Sequence, residues 1–143
     1  MTGGLPQAGL RGFLRFLTAA VLLATAAGKL LDVRGFAAVL RTYDFFGEGA
    51  LLPLAIGVPA LELGLALWLL SARRLAGAAL GSAALHVAYA LWSAVSVLRG
   101  LKLSNCGCFG VFLARPLSWQ TVAEDGGMAA LSLTLWALAR RRE

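Results

Sequence analysis

Charged side chains are scarce in this sequence: they make up 14% of its 143 residues, and seven of them are Asp or Glu. Hydrophobic residues account for 59% of the chain, and the mean hydropathy is +0.79. An average soluble domain has a much more polar composition. The composition therefore indicates a membrane protein, and the length allows about four helical spans of roughly 20 residues in one domain.

Metal-ligating side chains are equally scarce, with one histidine and two cysteines. A closed structural zinc site takes four ligands, so Cys106 and Cys108 would need His86 and carboxylates to complete one. The sequence contains no nucleotide-binding loop, catalytic triad or complete metal-binding signature. We predict no metal site, although two soft thiolates leave the capture of a thiophilic ion such as Cu(I) open as an alternative.

The net charge of +6 does not indicate nucleic-acid binding, because the arginines flank apolar runs instead of forming a basic face with interleaved aromatic residues. We expect anionic lipid headgroups to be the counter-charge and the lipid bilayer to be the first partner.

Four apolar stretches, each bounded by charge, are long enough to cross the hydrocarbon core as helices. They cover residues 10–31, 51–70, 75–98 and 121–139. The sequence therefore predicts one all-α membrane domain over residues 1–143, an integral four-helix bundle with outer loops at 32–50 and 99–120. A rival interpretation of the first stretch is a secretory signal with a cleavage box at Ala24-Thr25-Ala26.

Arginines close to the span ends predict the orientation of this domain. Arg73-Arg74 and the run from Arg140 to Arg142 lie directly against span ends, whereas the opposite side spreads its cations through longer loops. By the positive-inside rule, both termini are cytoplasmic. The loop with Cys106 and Cys108 then faces the outside, where disulfides persist.

The segment Cys106-Gly107-Cys108-Phe109-Gly110 contains both cysteines. A C-x-C spacing puts the two side chains on opposite faces of a strand and about 200° apart on a helix, so only an irregular turn can bring the sulfurs together. Gly107 makes such a turn accessible because it has no Cβ. We expect a disulfide across so short a loop to be readily reduced and suited to exchange. Inert or purely structural cysteines are the alternative.

Glu62 and His86 lie at a similar depth, near the middle of the second and third stretches. An isolated ionised carboxylate there is costly, so Glu62 should be protonated or paired. Pro59 prevents one backbone hydrogen bond and would open the helix locally. We expect Glu62 and His86 to face the interior, in one arrangement facing each other, either as a proton-relay or ligand site or as a buried hydrogen bond that fixes helix packing.

Lys29 ends the first stretch, and its amine is expected to extend outward to the headgroups, with an inward turn toward a carboxylate as the alternative. The outer loop at 32–50 mixes aromatic and polar residues, which predicts an interfacial helix or a lid that includes Tyr43. Thr121 and Glu124 have the spacing of a capping box at the start of the fourth helix.

Paired glycines on two stretches predict close helix contacts: Gly57 and Gly64 on the second, and Gly77 and Gly81 on the third. The spacing identifies neither the neighbouring helix nor whether that helix belongs to another copy of the chain, so the oligomeric state stays open.

Several motifs together carry a family resemblance: Gly28-Lys29, Arg41-Thr42-Tyr43, the segment from Pro59 to Gly64, and the segment from Asn105 to Gly110. Over nearly its whole length the sequence resembles the MauE family of methylamine-utilisation membrane proteins, which is related to the DoxX-like four-helix group. The resemblance implies a bacterial cytoplasmic-membrane protein linked to disulfide formation or thiol transfer during the maturation of exported enzymes, beside a periplasmic thioredoxin-like protein.

The resemblance also suggests comparison with quinone-linked oxidoreductases of the DsbB and vitamin K epoxide reductase kind, which commonly use two cysteine pairs where this chain has one. We expect Cys106 and Cys108 to be the catalytic pair of a thiol-disulfide oxidoreductase that exchanges electrons with a periplasmic thioredoxin-fold protein. The candidate residues for binding a quinone or relaying protons are Lys29, Tyr43, Glu62 and His86. The alternative from another class is a non-enzymatic thiophilic-metal transporter or assembly scaffold.

Overall fold

The computed structural model describes residues 4–143, so the first three residues of the predicted domain lie outside the described part. That part contains five helices and no strand: α1 (Gly4–Leu30), α2 (Val33–Arg41), α3 (Glu48–Ser71), α4 (Leu75–Leu98) and α5 (Trp119–Ala139). The four long helices coincide with the four apolar stretches, because in an apolar setting only a helix satisfies its own backbone within one segment. The all-α prediction is confirmed.

Three helices of the described part are long and apolar enough to cross a membrane: α1 from Pro6 onward, α3 and α4. The fifth helix has 21 residues, but its first half is less apolar, because it contains Glu124 and Asp125 followed by two glycines. The structure therefore supports a membrane protein with three candidate spans, and a fourth span over 121–139 stays a prediction.

Each long helix packs against two others: α1 contacts α3 and α5, and α4 contacts α5 and α3. Leucine and alanine side chains from all four fill the interior toward the end that holds the α3–α4 turn. The glycines of α4 belong to this packing, since a Cβ at Gly81 would lie 2.9 Å from Leu65 and one at Gly77 would lie 3.2 Å from Trp68. The predicted close contact of α4 is thus made with α3.

Gly57 and Gly64 behave differently from the glycines of α4. A Cβ added at either position would meet nothing within 4 Å. Within the described chain these positions make no close helix contact, because α3 turns them outward and presents Leu65 and Leu69 to the interior. A contact with another copy of the chain stays a prediction.

A lid segment, consisting of α2 and residues 42–47, covers the opposite end of the bundle. Asp32 caps α2 by accepting a hydrogen bond from the Gly35 amide at 2.8 Å. Phe36 and Leu40 on its inner face are buried against α3. The Arg99 guanidinium at the end of α4 donates to the Tyr43 carbonyl at 2.9 Å. The lid predicted from the sequence is therefore present and is tied to both α3 and α4.

The fifth helix begins one turn earlier than the capping-box spacing predicted. Ser118 is its N-cap, and Thr121 at the third helical position accepts from the Ser118 amide at 3.3 Å. The prediction of a cap formed by Thr121 with Glu124 is wrong, because the helix already begins at Trp119 and Thr121 lies inside its first turn. Glu124 instead binds the guanidinium of Arg115.

Candidate functional site

The two cysteines form a disulfide across an irregular turn, with their Cα atoms 5.5 Å apart. Asn105 organises this turn from its side chain: its oxygen accepts from the Gly107 amide at 2.9 Å, and its nitrogen donates to the Gly110 carbonyl at 3.0 Å. Gly107 and Gly110 both have positive φ angles, of 78° and 68°, which residues with a Cβ rarely adopt. The predicted turn is confirmed, and the redox activity of the pair stays a prediction.

The backbone of the cysteine turn rests directly on the last turn of α1. A Cβ added at Gly28 would collide with the Phe109 carbonyl, and one added at Gly110 would collide with the Gly28 carbonyl. Glycine is needed at both positions because main chain touches main chain there. This contact places the disulfide turn beside the residue that follows Gly28, which is Lys29.

Main-chain and ionic contacts hold the rest of the loop. The Cys106 amide donates to the Arg115 carbonyl at 2.7 Å, and the Leu117 amide donates to the Leu103 carbonyl at 3.0 Å. The Arg115 guanidinium also forms a bidentate ion pair with Glu124 on α5, its shorter contact being 2.6 Å. The loop is therefore attached to α1 on one side and to α5 on the other.

Tyr43 anchors the cysteine turn to the lid segment. Its hydroxyl donates to the Cys106 carbonyl at 2.7 Å, and its side chain is 2% exposed. Burial raises the pKa of Tyr43 to about 12, so the hydroxyl stays protonated and remains a donor at neutral pH. Sequence reasoning identified Tyr43 as a lid residue, and the structure shows that its hydroxyl contacts the main chain of Cys106, one of the two cysteines of the disulfide.

Lys29 turns inward and pairs with Glu62. Its amine lies 2.7 and 2.9 Å from the two carboxylate oxygens, and the two side chains are 4% and 0% exposed. The Tyr89 hydroxyl donates to the same carboxylate at 2.7 Å. The prediction that Lys29 extends outward is wrong: a carboxylate buried this deeply needs a partner, and the amine of Lys29 supplies it.

His86 lines the same cavity as Glu62, but it is not a hydrogen-bond partner of that carboxylate. Its Nδ1 lies 2.8 Å from the Ser82 carbonyl, which assigns the proton to Nδ1 because a carbonyl only accepts. Ser82 in turn contacts Ser132 on α5 at 3.1 Å. The arrangement in which Glu62 and His86 face each other is replaced by two separate networks, and Nε2 of His86 is left as an acceptor.

A cavity of about 400 Å³ joins these networks under the lid segment. Its walls are mainly aromatic and aliphatic, and every candidate site residue of the sequence analysis lines it: Lys29, Tyr43, Glu62, His86, Cys106 and Cys108. Val58 of α3 and Ala88 of α4 also line it, and Ala88 lies on the exposed surface of its helix. The cavity therefore extends toward the outer surface of α4 at Ala88.

Sequence reasoning missed several cavity residues, among them Tyr89, Trp92, Ser93 and Asp125. Tyr89 follows His86 by three residues and so shares its helix face, a signal that could have identified it. Asp125 is an acid within a predicted span, which is itself a functional signal. Its carboxylate accepts from the Ser93 hydroxyl at 3.5 Å. Within residues 4–143, no three His, Cys, Asp or Glu side chains converge in a way that would hold a metal ion.

Comparison with known proteins places these features in context. A family model described as methylamine utilisation protein MauE matches residues 8–138. The chain is 33% identical to the methylamine utilization protein MauE of Paracoccus denitrificans over 85% of this chain and 66% of that protein. It is 32% identical to the protein of the same name from Methylorubrum extorquens over 88% of this chain and 68% of that protein. The chain thus spans about two thirds of the length of these curated relatives. No solved structure matches it.

Proposed function

This chain belongs to the MauE family, and we propose that it is a membrane thiol-disulfide oxidoreductase of methylamine utilisation. In this proposal the Cys106–Cys108 pair exchanges electrons with a thioredoxin-fold protein outside the cytoplasmic membrane. The exchange supports the maturation of exported enzymes of the methylamine dehydrogenase type.

The observation that carries the proposal is the position of the disulfide. The pair lies in an irregular loop at the end of the helices, away from the leucine and alanine core, and it lines a cavity that also contains a buried ion pair. A disulfide whose purpose is to hold a fold together has no need of a cavity next to its sulfurs. Exchange does need one, because an attacking thiolate or an electron acceptor must reach them.

The proposed exchange balances in sulfur, electrons and protons. In the oxidising direction, a thiolate of the partner attacks one sulfur of the pair, the bond between Cys106 and Cys108 breaks, and its electron pair stays on the other cysteine. The second thiol of the partner then attacks the mixed disulfide. The partner leaves as a disulfide, and this chain retains two thiols that have gained two electrons and two protons.

The cavity also fits a quinone, which when bound supplies a two-electron, two-proton acceptor. Its volume is within the range of sites for small organic ligands, and its lining is mostly apolar. Phe36 and Trp92 would pack against a flat ring, and the side of the cavity lined by Val58 and the exposed Ala88 would admit a lipid-soluble ligand. The residues that would hold its polar atoms are Lys29, Tyr89 and His86, whose Nε2 is left as an acceptor.

The distribution of charge supports an orientation with the cysteine loop outside and both termini in the cytoplasm. At the end that holds the termini, Arg73, Arg74 and the run from Arg140 to Arg142 lie directly against the ends of α3, α4 and α5. The cysteine end carries Arg34, Arg41, Arg99, Lys102 and Arg115 spread through α2 and the loops, and Lys29 there is buried. Because the positive-inside rule counts Lys and Arg close to the span ends, the tighter clustering supports a cytoplasmic side at the end with Arg73, Arg74 and the termini. This topology needs α5 as a fourth span, completing a four-helix membrane bundle.

A reconstituted system tests the proposal. The full chain in lipid nanodiscs, with its disulfide formed, is mixed with excess reduced thioredoxin as the probe. The oxidised fraction of thioredoxin itself is measured by thiol alkylation and gel mobility, with and without a short-chain ubiquinone, because total free thiol does not change in a simple exchange. We expect one thioredoxin oxidised per chain without quinone and continued turnover with it. The variant C106S/C108S should do neither.

Each outcome of this experiment has a definite meaning. Thioredoxin oxidation that is equal in the wild type and in C106S/C108S would overturn thiol exchange and favour the scaffold alternative. Copper retained by the wild type and lost in C106S would favour metal transport. Single turnover without stimulation by the quinone would remove only the quinone from the proposal. Labelling of the reduced cysteines by a membrane-impermeant maleimide in intact cells tests the orientation, and protection until lysis would reverse it.

A further inference from the structure

The two cysteines are not equivalent in this fold, and their difference assigns them separate parts in the exchange proposed above. Cys106 is 9% exposed and is packed in a small core with Tyr43 and Leu117. Cys108 is only partly buried and lies at the edge of that core. An incoming thiolate must approach a sulfur along the line of the bond that it breaks, so it reaches the sulfur at the edge first.

The backbone of Cys106 is also the more firmly held of the two. Its amide donates to the Arg115 carbonyl at 2.7 Å, and its carbonyl accepts from the Tyr43 hydroxyl at 2.7 Å. Within the described residues, the main chain of Cys108 makes one such contact, and that contact is to Cys106 itself. A cysteine fixed at both its amide and its carbonyl is poorly placed to swing outward and carry a bulky partner.

The hydrogen bond from the Cys108 amide to Cys106 also indicates which sulfur is the leaving group when a partner thiolate attacks the disulfide. The Cys108 amide donates to the Cys106 sulfur at 3.4 Å. A hydrogen-bond donor directed at a sulfur stabilises the thiolate form of that sulfur, and a more stable thiolate is a faster leaving group in thiol-disulfide exchange. The amide is fixed in this direction because Gly107, at a φ of 78°, closes the turn between the two cysteines.

From these contacts we infer that Cys108 is the sulfur that bonds to the partner and that Cys106 is the leaving and resolving sulfur. A partner thiolate attacks Sγ of Cys108, the bond between Cys106 and Cys108 breaks, and the electron pair stays on Cys106, where the Cys108 amide stabilises the charge. The mixed disulfide ends when the partner's second thiolate attacks its own sulfur and releases Cys108, or when Cys106 attacks Cys108 and expels the partner. This assignment rests on the proposed thiol exchange.

The test maps the first bond formed on the wild-type protein, so it needs no variant. The full chain in nanodiscs, with its disulfide formed, receives a limiting amount of reduced glutathione and then an excess of N-ethylmaleimide under acidic quench. Peptide mass spectrometry locates both groups. We expect glutathione on Cys108 and maleimide on Cys106 in at least about ten times the amount of the reverse product.

Single-cysteine variants provide an independent rate measurement. At a pH of about 10, where both thiols are ionised and only access and nucleophilicity differ, C106S, which retains Cys108, should react with glutathione disulfide at least about tenfold faster than C108S, which retains Cys106. Circular dichroism and gel filtration establish that both variants are folded, and C106A and C108A serve as a second pair.

The outcomes separate this assignment from the function on which it rests. Glutathione found mainly on Cys106, or on both cysteines equally, would overturn the assignment and leave thiol exchange standing. A wild-type disulfide that no glutathione or thioredoxin opens, while the unfolded protein is reduced normally, would overturn the exchange itself and the assignment with it.

Discussion

Removing one partner of the buried Lys29–Glu62 pair should destabilise the protein much more than removing both. The two side chains are almost completely buried, and besides each other the main polar contact is the Tyr89 hydroxyl on Glu62. In K29M the carboxylate loses its cation, and in E62Q the ammonium loses its anion. Either charge would then be left in an apolar, low-dielectric interior.

The size of the effect is limited by the ability of each group to give up its charge. Neutralising an ordinary carboxyl group at pH 7 costs about 4 kcal/mol, and neutralising an ordinary amine costs about 5 kcal/mol. Measured costs of breaking buried ion pairs are about 3 to 5 kcal/mol, which agrees with these limits. We therefore expect K29M and E62Q each to lower the free energy of unfolding by about 3 to 5 kcal/mol. The double variant K29M/E62Q should recover at least half of the summed loss, because it leaves no buried charge.

Unfolding by SDS in mixed micelles, followed by circular dichroism, measures these four free energies and closes a double-mutant cycle. The exposed pair of Arg41 and Glu48, in which the side chains are 59% and 73% exposed, provides the matched control. R41M and E48Q should leave the unfolding midpoint unchanged, since solvent screens that pair. Single variants within about 1 kcal/mol of the wild type, or losses that add in the double variant, would refute the pairing.

Two further predictions concern the cysteine turn. G28A should slow the reaction of the disulfide with glutathione by about tenfold or more, because the added Cβ would displace the turn. The control G57A, at an open position of a helix in the same bundle, should have no effect. Equal rates in the two variants would contradict the main-chain contact. Y43F removes the bond to the Cys106 carbonyl and should cost about 1 kcal/mol of stability. Since the folded-state pKa of Tyr43 is raised to about 12, the difference in free energy of unfolding between the wild type and Y43F should be full below about pH 10 and should decline as pH rises toward 12. A difference that grows in this range would contradict the burial of the hydroxyl.

Much of the fold could be predicted because its signals are local. Apolar runs of about 20 residues bounded by charge are sufficient to locate spans, and the structure has helices at all four. The irregular C-x-C turn could also be predicted, since neither a helix nor a strand can bring two sulfurs at that spacing together. The lid followed from aromatic residues set among polar ones. None of these conclusions needed knowledge of which elements are neighbours.

The predictions that failed all depended on neighbours. Lys29 was expected to reach the headgroups because its position at the end of an apolar stretch is visible in the local sequence. Its actual partner, Glu62, is 33 residues away and is known only once α1 and α3 are packed. Gly57 and Gly64 make no contact within the bundle for the same reason, since spacing along a helix does not say which side faces the bundle. Thr121 has a valid capping-box sequence, but the helix has its N-cap at Ser118, directly after Leu117, whose amide is held by the Leu103 carbonyl across the loop.

The last turn of α1 connects the two parts of the site. The main chain of the cysteine turn packs directly on Gly28, and Lys29, the next residue along the helix, carries the ammonium group that is paired with Glu62. Consecutive residues of a helix move together, because their hydrogen bonds to the preceding turn fix both. A shift of the cysteine loop on reduction would therefore act on Lys29, and a change of charge at Glu62 would act on the loop. K29M should accordingly change the glutathione reaction rate as well as stability, although the substitution touches neither sulfur, and an unchanged rate in a destabilised K29M would show that the two parts are independent.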